Sequence, residues 1–228
     1  MKRQMQVRLV AMAPTFSIII PALNAAGQLG TGLAALAEGA RRLDAEIIVV
    51  DGGSMDGTPE MARRAGVRLV SAERGRGPQL RAGAAAAVGS WLLFIHADTR
   101  LEPDWDRVVV DFAASRRNQE RAASFRFALD DATKAARRLE AMVAWRCRQL
   151  ALPYGDQGLL MARRFYDRIG GYRVLPLYED VDLVRRIGRR RLVLLDHGAV
   201  TSGARYKKSG YLPRSTRNLA CLGLYFLG

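Results

Sequence analysis

Four runs of branched and large apolar residues, FSIII (16–20), EIIVV (46–50), VRLV (67–70) and WLLFI (91–95), recur along the first hundred residues with a helical segment between each and the next. The first spacer repeats apolar residues at Leu29, Leu33, Leu36, Ala40 and Leu43, one face of a helix. The second, PEMARRAG, has Pro59 in its first turn and Gly66 at its exit, and the third, PQLRAGAAAAVG, again begins on a proline. Runs so rich in aliphatic residues suit burial on both faces, so this alternation predicts a parallel sheet with helices on each side. With 49% hydrophobic residues the chain is a globular protein, and 228 residues suit one α/β domain over 1–228.

Ligands of such sheets bind beyond the carboxyl ends of the strands. Those ends are PALNAAG, DGGSMDG, SAERGRG and HADT, four polar loops on one edge. If the fourth strand runs far enough, His96 and Asp98 point the same way and suit a shared ligand, a metal among them; equally, an Asp there starts a turn. Asp51 is open to two readings, a ligand contact or a cap on the strand end. Arg76 is either a phosphate partner or a solvated loop arginine.

Beyond residue 105 the alternation breaks down. DRVVVDFAAS predicts a helix, RAASFRFAL an irregular edge strand, and DATKAARRLEAMVAWRCRQLAL a long basic amphipathic helix. GDQGLLMARRFYDRIGGY reads as strand, helix and a Gly-Gly stop, YEDVDLVRRI starts a helix, RLVLLD is a further strand, and the tail ends in a short apolar helix. Residues 16–105 therefore form one half and 106–228 another. Of the net charge of +14, the second part carries the larger share: residues 131–228 hold 19 Lys and Arg against 8 Asp and Glu, residues 1–130 hold 17 against 14. Such a surface attracts phosphorylated molecules, polyanions or anionic headgroups, or is simply solvated. Cys147 and Cys221 have neither zinc nor redox spacing, which fits a reducing, cytoplasmic compartment, with the basic half able to lie against the inner face of the membrane. No stretch is apolar for the length of a membrane span.

Two nucleotide-binding folds are excluded by their loops. A dinucleotide fold needs a glycine-rich turn after the first strand, where this chain has PALNAAG, and the P-loop pattern G-x-x-x-x-G-K-[ST] is absent. IIIPALN instead resembles the opening strand and turn of the family-2, GT-A-type glycosyltransferases, and IIVVDGGSMDGT is similar to their "vvDdgStDgT" signature almost residue for residue. RGRGPQLRAGAAAAVGSWLLFIHADTRLEPD is similar to the stretch leading to that family's metal-binding D-x-D, and GGY followed by YEDVDLVRRI resembles its acceptor-side segment. HADT, TSGARY and the terminal LYFLG further resemble a small bacterial subgroup named for arsenosugar biosynthesis.

The resemblance implies a GT-A fold and an inverting transfer of sugar from a nucleoside-diphosphate donor, a UDP-sugar first, to the hydroxyl of a small-molecule or lipid-linked acceptor. It implies that Pro21, Asn24, Asp51, Arg76, Gln79 and Asp98 serve the donor. Asp180 is the implied base, and Gln157, Glu179 and Arg205 lie on the acceptor or diphosphate side. Tyr154, Gly155 and Asp156 share the loop of Gln157. The family's D-x-D is here His96-Ala97-Asp98, so a divalent ion, Mn²⁺ or Mg²⁺, would have Asp98 and diphosphate oxygens, with His96 either a ligand or a phosphate or ribose contact. Two other readings stand beside this one: a basic protein that binds polyanions or anionic membrane with a degenerate transferase core, and a sugar nucleotidyltransferase. No specific nucleic acid is expected.

Overall fold

The computed structural model describes residues 15–204 together with 206, 210 and 211. Its first half follows the alternation: β1 (Phe16–Ala22), α1 (Ala26–Arg42), β2 (Glu46–Asp51), α2 (Thr58–Arg64), β3 (Arg68–Ser71), α3 (Arg76–Ala86) and β4 (Trp91–Phe94). β5 (Thr99–Leu101), α4 (Trp105–Ala114), β6 (Ala122–Leu129), α5 (Lys134–Leu150), β7 (Leu159–Ala162), α6 (Arg163–Arg168), α7 (Glu179–Ile187) and β8 (Leu192–Thr201) complete it. One eight-stranded sheet runs in the order β3-β2-β1-β4-β7-β6-β8-β5. Its first four strands are mutually parallel, β6 and β8 are parallel, and β7 and β5 join antiparallel. The parallel half carries the strand ends that the alternation placed on one edge.

Pro21 closes the apolar run but not the strand, since Pro21 and Ala22 continue in register with Val50 and Asp51. The Ile19 carbonyl, two residues earlier, accepts from Ile95 on the β4 side, so Pro21 faces that side where β4 has already ended, and its missing N–H leaves no ladder bond unmade. α3 lies close on the sheet because Gly83 has no side chain; a Cβ there would run into Ile19 and Val50. The main core is continuous through the sheet, and a smaller cluster joins Leu139, Val143 and Cys147 of α5 to Phe127 and Leu129. Cys147 is a buried free thiol, and Cys221 lies outside the described residues.

Two expectations are corrected. RAASFRFAL is not an edge strand: β6 sits between β7 and β8, irregular only in a bulge between Ser124 and Arg126. Its alternation is blurred because both faces are covered, with Arg126 the one exposed residue in the strand. β4 stops at Phe94, so His96 and Asp98 do not share a strand face; a turn closed by Thr99 N–H on the His96 carbonyl carries them. The three-residue β5 that follows had no signal of its own and forms by pairing with β8.

Candidate active site

The first two polar loops are laced to each other. The Asn24 N–H donates to Ser54 Oγ at 2.9 Å, and the Met55 N–H donates back to Asn24 Oδ1 at 2.9 Å. Ala25 N–H reaches Thr58 Oγ1 at 2.8 Å and Ala26 N–H reaches Asp56 Oδ2 at 3.1 Å. The Thr58 hydroxyl and N–H in turn hold the Asp56 carboxyl below the usual carboxylate range. Asn24 adopts φ 47°, a left-handed conformation that asparagine tolerates and this lacing fixes. Much of the strongest sequence signature therefore builds the loop rather than facing a ligand. Asp51 is 7% exposed and accepts from the N–H groups of Gly53 and Ser54, capping its own strand end.

Gln79 is also buried, and its Nε2 donates to the carbonyls of Ala22 and Val50, both at 2.7 Å. It ties the ends of β1 and β2 together from α3 while its side chain still lines the cavity beside them. That cavity, ≈ 330 Å³, is bounded by Pro21, Asn24, Gln79, Arg76, His96 and Asp98, among others. A second cavity of ≈ 500 Å³ lies on the other side of Arg76, His96 and Asp98, which line both. Tyr154, Gly155, Asp156, Tyr178, Glu179 and Asp180 contribute to its walls. The charge of Arg76 acts at the junction, pulling down the carboxyl pKa values of Asp156 and Glu179.

His96 packs directly on Gly155: a Cβ at Gly155 would lie 2.5 Å from the imidazole Nε2. The Gly155 N–H donates to Asp180 Oδ2 at 2.7 Å, and Asp180 Oδ1 accepts from the Val181 N–H at 2.7 Å. The carboxylate is thus oriented by backbone at the start of α7, one glycine away from His96. Its neighbour Glu179 is 4% exposed, and burial together with the Asp180 charge raises its pKa against the pull of Arg76. Asp182 belongs to the scaffold: it pairs with Arg186, whose guanidinium also donates to the carbonyls of Ile169 and Gly171 and so closes the Gly-Gly loop.

In the loop between α5 and β7, Gln157 and Asp156 have opposite fates. Gln157 is 2% exposed and its amide is engaged within the fold, accepting from Tyr154 N–H and Arg146 and donating to the Phe125 carbonyl. Asp156 lines the second cavity, and its buried Oδ1 has no hydrogen-bond partner among the described residues. Burial pushes its pKa up to about 6, with Arg146 opposing and the charges of Asp180 and Asp98 adding to the rise. The sequence marked this loop by an acid between glycines in YGDQG, but the hydrogen bonds that distinguish Gln157 from Asp156 come from other elements. Arg205 lies outside the described residues. His197 of β8 bonds the Glu102 carbonyl at 3.1 Å and packs edge-on to Phe125.

Among the described residues no group of three His, Cys, Asp or Glu side chains could hold a metal ion by itself. Asp98 and His96, one carboxylate and one imidazole beside Arg76, fit an ion whose remaining positions are filled by a diphosphate and water. No helix among the described residues is long and apolar enough to cross a membrane.

The family model for glycosyl transferase family 2 matches residues 17–174. PGL/p-HBAD biosynthesis glycosyltransferases of Mycobacterium bovis and Mycobacterium tuberculosis are 40% identical over 96 residues, 39% of this chain and 37% of theirs, so the match spans little more than a third of these relatives. Glucosyl-3-phosphoglycerate synthase of Mycobacterium tuberculosis, solved with Mn²⁺ and UDP-glucose, superposes with a TM-score of 0.60 at 19% identity, covering 82% of this chain and 71% of that one. A mannosyltransferase from Pyrobaculum calidifontis, solved with GDP-mannose and Mn²⁺, superposes at 0.63 with 21% identity, covering 88% and 59%.

Proposed function

The chain belongs to glycosyl transferase family 2 and has the GT-A fold, and from that premise we propose that it moves a sugar, with inversion, from a nucleoside-diphosphate donor in the first cavity to an acceptor hydroxyl in the second. The observation that carries this reading is the shared wall: Arg76, His96 and Asp98 line both cavities, where a leaving diphosphate would lie between donor and acceptor. The donor is a UDP-sugar first and a GDP-sugar second, both nucleotides being carried by proteins of this fold. Pro21, Asn24 and Gln79 shape the nucleotide end, and Asp51 holds the loop beside the base.

Asp180 takes the proton of the acceptor hydroxyl. The freed oxygen forms a bond to the anomeric carbon as the bond from that carbon to the diphosphate oxygen breaks, and the electron pair leaves with the diphosphate. Arg76 faces that departing charge. A divalent ion bound with the donor would be held by Asp98, with His96 alongside, and would supply further positive charge to the diphosphate. Glu179, buried beside Asp180 with its proton favoured, can hydrogen-bond acceptor hydroxyls. The acceptor is a small molecule or a lipid-linked hydroxyl compound.

Titration with UDP, GDP, dTDP and ADP, with Mn²⁺ and with chelator, tests the assignment. UDP is expected to bind with selectivity and with dependence on the ion. Asp98→Asn should lose that dependence, whereas Asp180→Asn should keep parental nucleotide affinity and lose transfer by on the order of 10²-fold or more. Affinity indifferent to base and to chelator would remove the donor and ion roles, and parental turnover in Asp180→Asn would remove the base. Release of pyrophosphate from a nucleoside triphosphate and a sugar phosphate would replace the reading with a nucleotidyl transfer.

A further inference from the structure

Helix α5 buries one face and leaves an unusual second one. Ala136, Leu139, Val143 and Cys147 pack on Phe127 and Leu129 of β6. On the outer side Arg138, Met142 and Trp145 follow one another at helical spacing, with Arg148 three residues beyond. Trp145 is 58% exposed and Met142 44%. The helix has one acidic residue, Glu140, and it is engaged by Arg137 and by the Leu129 N–H. Arg189 donates to the carbonyls of Gln149 and Arg148, which brings the exposed turn Arg189–Arg191 against the C-terminal end of the helix. Large apolar groups ringed by arginines, with no free carboxylate from the helix, leave a surface costly to keep in water and complementary to anions over hydrocarbon.

We propose that the outer face of α5 docks on an anionic lipid surface. Trp145 and Met142 enter the boundary between headgroups and acyl chains, and Arg138 and Arg148 extend to the lipid phosphates. The docked face adjoins the second cavity: Arg146 of the same helix lies 3.5 Å over the ring of Tyr154, which lines that cavity. Leu177, 68% exposed, sits on the cavity's rim. Resting on the sugar transfer proposed for this site, the geometry makes the acceptor a molecule borne by the membrane, its hydroxyl offered to Asp180 from the lipid side.

The tryptophans make the test direct. Trp91 and Trp105 are 1% and 2% exposed, so an emission change on adding lipid reads Trp145. Vesicles of phosphatidylcholine with phosphatidylglycerol should shift the emission to shorter wavelength, vesicles of phosphatidylcholine alone should not, and high salt should reverse the shift. In sedimentation with the mixed vesicles, the double variants Trp145→Ser with Met142→Ser, and Arg138→Glu with Arg148→Glu, should each lose about ten-fold or more in affinity. Both should bind UDP as the parent does. No shift and no sedimentation at low salt would overturn the proposal, as would parental vesicle binding by both double variants. A doubled mass in light scattering that Trp145→Ser abolishes would overturn it in favour of a second copy on this face. Vesicle binding by a protein that binds no nucleoside diphosphate would support the docking and remove the transfer reading.

Discussion

Asp156 is the side chain whose burial has a measurable consequence independent of any ligand. A carboxyl whose pKa is raised in the fold contributes stability that is full below its ordinary value of 3.8 and is lost as pH rises through about 6. The groups facing it are Arg146 from α5, Arg76 from α3, Asp180 from α7 and Asp98 from the turn after β4, so the two carboxylates outweigh what the arginines offset once burial is added. Asp156→Asn removes the titration while nearly preserving shape. Its melting temperature should exceed the parent's above pH 6, and the advantage should shrink as pH falls through that value, with ion and nucleotide absent. A constant difference across the range would mean that Asp156 is not the group titrating.

α3 decides where the site's charge sits, because it begins at Arg76, carries Gln79 on its first turn and lies on β1 and β2 through Gly83. A methyl at Gly83 would meet Ile19 and Val50, residues of two central strands that cannot retreat cheaply. Gly83→Ala should therefore destabilise by roughly 1–3 kcal/mol despite the better helix propensity of alanine. By lifting Gln79 from the carbonyls of Ala22 and Val50 it should also weaken nucleotide binding, read by titration well below the melting temperature. Unchanged stability would show that the helix can slide without disturbing the strand ends. The same contact explains why the glycine-and-alanine stretch after Pro78 carries little amphipathic pattern: closeness to the sheet, rather than a broad apolar stripe, holds the helix.

The two halves of the sheet meet between β4 and β7, and both cavities open along this region with His96 and Asp98 between them. A ligand that spans the wall should stabilise the whole chain, since it binds the folded state alone. UDP with Mn²⁺ at about a hundred times its dissociation constant should add about 2.7 kcal/mol, seen as a raised melting temperature. Mn²⁺ alone should add little, because no three described side chains form a complete site for it. Equal stabilisation by the ion without nucleotide would mean that a complete metal site exists elsewhere in the chain.

The strand and helix alternation over residues 16–94 was legible because period and composition are local properties: a run such as IIVV (47–50) is apolar throughout whatever surrounds it, and Pro59 and Gly66 mark a helix by their own backbone chemistry. The four loops and their common edge follow from that alternation. What the second half does depends on pairing between segments distant in the chain. β5 exists because Thr99–Leu101 meets Ala199–Thr201, and β6 became interior because β8 returned in parallel beside it. The site divides in the same way. The residue types at His96, Asp98 and Asp180 and the motif DGGSMDGT are written in the sequence. That Ser54, Asp56 and Thr58 lace two loops, that Gln79 and Gln157 bind backbone, and that Asp156 loses its solvent are settled by which carbonyls, N–H groups and charges packing brings within reach, and those lie tens of residues away in the chain.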